Sequence, residues 1–227
     1  MLYGEQAVRD NIRNRDGKRV FYLGKGDQLT SGARDFLNRE RIEILPGETA
    51  RPARYRLLGG GYLEEKPEEM THLCGDILVP KTHPRIAFRG AVDSLESELL
   101  LTALALPELR KDLEELLQFV RKLLRCEVLE EPFSQGLLCG LTEQQLRSHS
   151  HRPQDYYGKP HFMPQVTHGE TVLRLNRLRT LARQAELAAV RAFSRESGSP
   201  RPDLLQALNR LSSMLYILMI KQWQPDP

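Results

Sequence analysis

Two arginines one helical turn apart, Arg179 and Arg183, and a polar run set in a greasy segment, Asn209, Arg210, Ser212 and Ser213, are the side chains best suited to chemistry in this chain. An arginine does not serve as a base. Its charge is permanent, and its planar fork matches carboxylate or phosphate oxygens. Like charges four residues apart on a helix repel by roughly 0.2–0.5 kcal/mol, which an anion placed between them would relieve. Residues 171–195 carry six arginines and one acid, Glu186, so a solvated basic face is the competing explanation. The polar residues at 209–213 interrupt a leucine stripe, and a polar group left dry beside a core costs a few kcal/mol. Their partners are either neighbouring helices or a ligand. Lys81 and Asp93 read by themselves as surface charges, and the loop histidine His161 as an ordinary hydrogen-bonding residue.

The elements that must position these groups follow from hydrophobic spacing. Leu204, Leu208, Leu211, Leu215 and Leu218 recur at helical intervals, with Pro202 and Asp203 suited to a helix start. A long helix is expected from a capping box at 167–170 to about Ser197, closed by Gly198. Residues 90–106 predict a helix burying Val92, Leu95, Leu99 and Ala103; residues 107–125 predict another with Leu109, Leu113, Leu116, Val120 and Leu123 along a seam. Thr142 to Gln145 resembles a capping box opening a short helix. Upstream, 20–23 and 42–45 read as strands flanking a helix that Thr30 can cap. Residues 46–68 lose periodicity and hold Gly59, Gly60 and Gly61, the mark of a loop or linker. The expected architecture is mainly α: a four- to five-helix bundle over 69–227, with a small N-terminal α/β appendage and linker over 1–68.

Composition narrows the function classes. A chain of 227 residues with 40% apolar and 28% charged residues is ordinary for a globular protein. A net charge of +3 and only 7% aromatic residues argue against a nucleic-acid binder, which needs a broad cationic face and stacking rings. No apolar run approaches a membrane span, and the first residues lack a signal-peptide layout, so a cytoplasmic protein is expected. Cys74, Cys126 and Cys139 are odd in number and widely spaced, which predicts reduced thiols and no zinc site.

Longer strings add a family resemblance. The run from Arg201 to Ser213, with Asn-Arg-Leu-Ser at its centre, resembles the C-terminal helix of ATP:corrinoid adenosyltransferases, most closely their ethanolamine-utilisation branch and also the related propanediol-utilisation type. Residues 178–186 are similar to that family's Ala-Arg-Thr-x-x-Arg-Arg-Ala-Glu helix, with Gln184 replacing the second consecutive arginine. Residues 71–81 have the spacing of its Thr-Ser-Leu…Lys nucleotide segment, and 84–97 resemble its Pro-Arg…Gly-x-x-Asp block. Residues 159–169 stand in the place of its Phe-x-Leu-Pro loop, with His161 at the phenylalanine position and Phe162 one residue on.

The resemblance implies transfer of the 5′-deoxyadenosyl group of ATP, bound with Mg²⁺, to the cobalt of reduced cobalamin, as either cob(II)alamin or cob(I)alamin on entry. It implies Thr71, Lys81, Asn209 and Arg210 on the ATP side, Arg183 on the phosphates, and His161 or Phe162 against the lower corrin face. Asp93 would pair with Arg179 of a neighbouring subunit, giving a homo-oligomer with active sites between subunits. A flavin-dependent reductase and a bacterial microcompartment are implied as further associations. Two departures stand out. The glycine-rich Gly-Asp-Asp-Gly loop of the propanediol type is absent, and residues 46–70 lack the His and Cys-Cys-x-x-Cys metal cluster of ethanolamine-type enzymes. No protein-bound transition metal is expected. The competing reading from another class is a catalytically silent helical adaptor.

Overall fold

The computed structural model describes residues 1–15, 17–47, 55–194 and 200–224. It is mainly helical with a strand-rich N-terminal region, and internal contacts divide it into two units, Met1–His83 and Pro84–Pro227.

The first unit is built on β1 (Leu2–Tyr3), α1 (Glu5–Arg9), β2 (Arg13–Arg15), β3 (Lys18–Gly24), β4 (Gln28–Leu29), α2 (Ser31–Arg39) and β5 (Glu43–Gly47). β6 (Tyr55–Leu57), β7 (Tyr62–Leu63), β8 (Met70–Cys74) and β9 (Ile77–Pro80) follow. Seven strands form one sheet in the order β5-β3-β2-β7-β6-β9-β8. The Thr30 side chain accepts from the Ala33 amide at 3.2 Å and caps α2, as its position predicts. α2 crosses between the parallel strands β3 and β5, burying Ala33, Phe36 and Leu37 with Val8, Ile12, Phe21 and Ile42.

The described part of the expected linker is corrected here. β6 and β7 pair antiparallel around Gly60 and Gly61, whose φ angles of +94° and +87° favour glycine, and the Leu57 amide donates to Gly61 O at 3.0 Å. Residues 48–54 of that stretch lie outside the described residues. β8 and β9 form a hairpin whose second strand pairs with β6, so residues 70–80 join the sheet and the unit boundary falls after His83.

The second unit holds α3 (Pro84–Ala105), α4 (Arg110–Val128), α5 (Glu143–His151), α6 (Pro153–Tyr157), α7 (Gly169–Ala192) and α8 (Pro202–Gln222). α7 packs along both α3 and α8; α4 lies against α3, and α5 against α8. The seam Leu109, Leu113, Leu116, Val120 and Leu123 is buried as its spacing predicts. α3 begins at Pro84, earlier than Gly90, because a proline suits a first helical turn and Phe88 is wholly buried. The Thr142 capping box is present, with both hydrogen bonds made to Gln145.

At the start of α7 the expected box is replaced. Gln165 and His168 cap a 3-10 turn over Val166–His168, and Gly169 at φ +81° leads into the helix without Thr167. α7 also stops at Ala192, before Ser197: Phe193 leaves the helix at φ −124° and is buried edge-on against Phe88 at 5.6 Å. The expected stop at Gly198 lies outside the described residues.

α8 is more than a one-sided stripe. Its five predicted leucines are buried, and so are Ala207, Arg210, Ser212, Met214, Ile217, Met219 and Ile220, because α4, α5, α6 and α7 surround it. Asp203 does more than complement the dipole. Burial pushes its carboxyl up, but Arg201 and the Phe133 amide, donating at 2.8 Å, outweigh that and hold it below the usual range. Among the described residues no helix is long and apolar enough to cross a membrane.

Candidate active site

The polar residues of α8 find their partners within the helical unit. Asn209 Nδ2 donates to Glu186 Oε1 on α7 at 3.0 Å, while Asn209 Oδ1 accepts from Arg210 Nη1 at 2.7 Å. Ser212 and Ser213 both donate back to Asn209 O, at 2.9 and 3.2 Å. Arg210 is only 9% exposed; its Nε makes no hydrogen bond, and the nearest acid is Glu143 on α5 at 3.7 Å. One such orphaned donor costs about 1–3 kcal/mol. Each fully buried leucine contributes a comparable 1.5–3 kcal/mol, so the leucines of α8 outweigh it together. Arg210 thus sets the Asn209 amide and faces α5.

On α7, Arg179 is half-buried and sends Nε and Nη2 to Asn176 Oδ1 at 3.2 and 3.0 Å. Burial, followed by repulsion from Arg183, pulls its pKa below the usual arginine value, while Tyr216 acts in the opposite sense. Arg183 is exposed and has no hydrogen bond or ion pair among the described residues. Asp93 on α3 is likewise exposed and unpaired among the described residues. Arg179 and Asp93 therefore do not meet inside one copy.

Tyr216, which spacing alone did not single out, joins the loop after α6 to α7. Its ring lies alongside that of Phe162, with centroids 6.2 Å apart, and its hydroxyl is within electrostatic reach of Arg179. His161 Nε2 lies 3.2 Å from His151 O, an acceptor only, so Nε2 carries the hydrogen and Nδ1 accepts from the Tyr216 hydroxyl at 2.9 Å. Phe162 stacks on Trp223 at 4.3 Å and meets His168 edge-on. The i, i+7 spacing from Asn209 could have pointed to Tyr216, since both lie on one face of α8.

The structure thus brings His161, Phe162, Tyr216 and Arg179 into one neighbourhood, and Asn209, Arg210 and Glu186 into a second on the same two helices. Thr71 pairs with Val79 in the β8–β9 hairpin, and the Lys81 amide donates to Glu69 O at 2.8 Å, both within the first unit.

A model of the family described as cobalamin adenosyltransferase matches residues 61–222. The chain belongs to that family. It is 38% identical over 161 residues to the corrinoid adenosyltransferase EutT of Salmonella typhimurium, covering 69% of this chain and 59% of that protein. It is 35% identical over 165 residues to EutT of Escherichia coli, covering 72% of this chain and 62% of that protein. The alignments therefore span about three fifths of the length of these curated relatives.

The cysteines are free. Burial, then the charges of Glu115 and Asp112, push the Cys139 thiol up to about 12. At pH 8 its thiolate fraction is about one part in ten thousand, and only thiolates react. Native protein should therefore show rapid labelling at Cys74 alone, with Cys126 and Cys139 reacting after denaturation. Fast alkylation of Cys139, located by peptide mapping, would contradict this. His72 Nδ1 lies 3.1 Å from Gly75 O, and among the described residues no three of His, Cys, Asp or Glu converge as a metal site.

Proposed function

We propose that this chain transfers the 5′-deoxyadenosyl group of ATP to the cobalt of a reduced corrinoid such as cobalamin, making an adenosylcorrinoid that serves ethanolamine degradation. The observation that carries the proposal is the seating of the 161–162 loop on α8, with His161 bonded to the Tyr216 hydroxyl at 2.9 Å and Phe162 stacked on Trp223, inside the stretch matched by the family. The corrinoid brings its own nucleophile, so no acid–base pair is required of the protein. Cobalt attacks the 5′ carbon, the carbon–oxygen bond breaks, and triphosphate leaves. The protein's part is to hold phosphate oxygens with fixed cations and to keep water from the reacting atoms.

Arg183 is the forked donor for the triphosphate, with Thr71, Lys81 and Arg210 as further ATP contacts. Asn209, held by Glu186 and Arg210, presents the remaining polar surface. His161 or Phe162 lies on the corrin side. Mg²⁺ carried on triphosphate oxygens and water needs at most one or two protein carboxylates. The finer architecture under this reading is the family's four- to five-helix bundle, with residues 69–227 as the adenosyltransferase segment. A cytoplasmic setting beside or within a microcompartment, supplied by a flavin-dependent reductase, completes it. An anaerobic assay of purified protein with ATP, Mg²⁺ and reduced cobalamin tests the activity, with a transition-metal chelator in a parallel arm. Formation of adenosylcobalamin in both arms is expected. Its absence at stoichiometric protein favours the silent adaptor.

Under the same reading the chain self-associates, with Asp93 of one copy against Arg179 of the next. Among the described residues neither is matched by an opposite charge. Breaking one side of such a pair after burial costs about 3–5 kcal/mol, so Asp93→Ala and Arg179→Ala should each weaken activity and lower the mass seen by light scattering. The charge-swapped double variant should recover part of both. A fully active monomer would refute the shared site.

A further inference from the structure

Lys159 has an unusual set of partners. Its half-buried Nζ donates to Ile220 O at 2.9 Å, to Lys221 O at 3.2 Å and to Trp223 O. These are carbonyls at the end of α8 and just beyond it, where no further helical turn supplies amides. All three ammonium protons are used, and among the described residues no carboxylate pairs with the charge. A cation here also complements the negative end of the α8 dipole.

The clamp sits at the root of the loop that leads to His161. Two more ties bind that loop to the same helix end: Tyr216 to His161, and the Phe162 ring on Trp223. Beyond them the apolar side chains turn outward. Met163 and Val166 are 81% and 86% exposed, although Phe162 between the ties is packed on the core. A loop that only covered the core would bury its larger apolar side chains. This one is held at its base and offers them to something outside.

We infer that Lys159 is a positioning residue: by clamping the end of α8 it fixes the loop so that Met163 and Val166 form an apolar rest for the corrinoid ring. The inference depends on the adenosyltransferase reading for the identity of the ligand, but the clamp itself does not.

Trp223 is the only tryptophan in the chain and lies within the clamp, so its fluorescence reports on it directly. Lys159→Met should change the Trp223 emission and raise the KM for cob(I)alamin about tenfold while leaving that for ATP within about twofold, because a small misplacement of a supporting group acts on the substrate it supports. Lys159→Arg, which can reach the same carbonyls, should restore most of both. Met163→Gln should raise the corrinoid KM with Trp223 emission unchanged. Wild-type emission and wild-type corrinoid KM in Lys159→Met would overturn the inference, and so would an equal rise in both KM values. If the wild-type protein forms no adenosylcobalamin, the functional reading falls. Emission of Lys159→Met then still decides whether the clamp exists, and unchanged emission rejects it.

Discussion

Glu127→Ala is expected to cost the helical unit about 3–5 kcal/mol, because it strips the shared anion from two arginines packed around a buried carboxylate. Glu127 is 0% exposed near the end of α4. Arg85 Nε donates to its Oε1 at 2.6 Å and Arg89 Nε to its Oε2 at 2.7 Å, both from the first turns of α3. Arg85 also reaches Glu127 O at 3.0 Å and Glu130 at 2.9 Å. Burial alone would lower the Arg85 pKa; the hydrogen bonds to Glu130 and Glu127 outweigh it and leave it raised. Arg89 already has one buried Nη2 without a partner, so the site has little slack for a second loss. The melting temperature should fall on the order of 10 °C, as 2–4 °C per kcal/mol is typical at this size. Replacing all three residues by methionine and leucine should recover much of the loss, since a buried ion triad is often no better than good apolar packing. A melting temperature unchanged in Glu127→Ala would show that α3 and α4 do not depend on this lock.

That lock explains part of what the sequence could and could not convey. Leu113, Leu116, Val120 and Leu123 announce a buried face because apolar spacing maps directly onto a helix surface. Thr30 and Thr142 announce helix starts because a cap needs only its own next three residues. Glu127 announces nothing. A charged residue near a helix end reads as solvated, and its burial depends on arginines 42 and 38 positions away. The strands β6 and β7 were hidden for a related reason. At three and two residues they are too short to show alternation, and their partners lie elsewhere in the sheet. Thr167 misled because capping depends on backbone angles, and Gly169 at φ +81° starts the helix without it. At the candidate site, Arg179, Arg183, Asn209 and Arg210 stood out by type and spacing. Tyr216 shares a face of α8 with Asn209, but its role and that of Lys159 come from the carbonyls, rings and charges that folding sets beside them.

Arg183→Ala is expected to raise the KM for ATP roughly ten- to hundredfold while leaving the corrinoid KM near its wild-type value, the effect of losing a charge-assisted hydrogen bond of about 1.5–3 kcal/mol. Arg183 shares its exposure and lack of a partner among the described residues with Arg191 of α7, but of the two Arg183 alone lowers the Arg179 pKa, and the other cations of the helix are engaged. Arg174 is paired with Glu170 at 2.7 Å, Arg177 lies 4.0 Å from Glu98, and Arg179 has two of its nitrogens on Asn176. Arg183 is exposed, has no partner among the described residues, and is close enough to Arg179 to lower its pKa. An anion that takes the Arg183 fork also relieves that repulsion, so binding gains on both counts. Removing Arg183 without ligand should leave thermal stability unchanged or slightly higher, because the like-charge cost of roughly 0.2–0.5 kcal/mol disappears. Arg183→Lys keeps the charge but loses the planar fork, and its KM for ATP should fall between the two. Steady-state kinetics with each substrate varied in turn, beside a melting curve for each variant, separates the outcomes. An equal rise in both KM values with a lower melting temperature would assign Arg183 to the fold and remove it from the triphosphate.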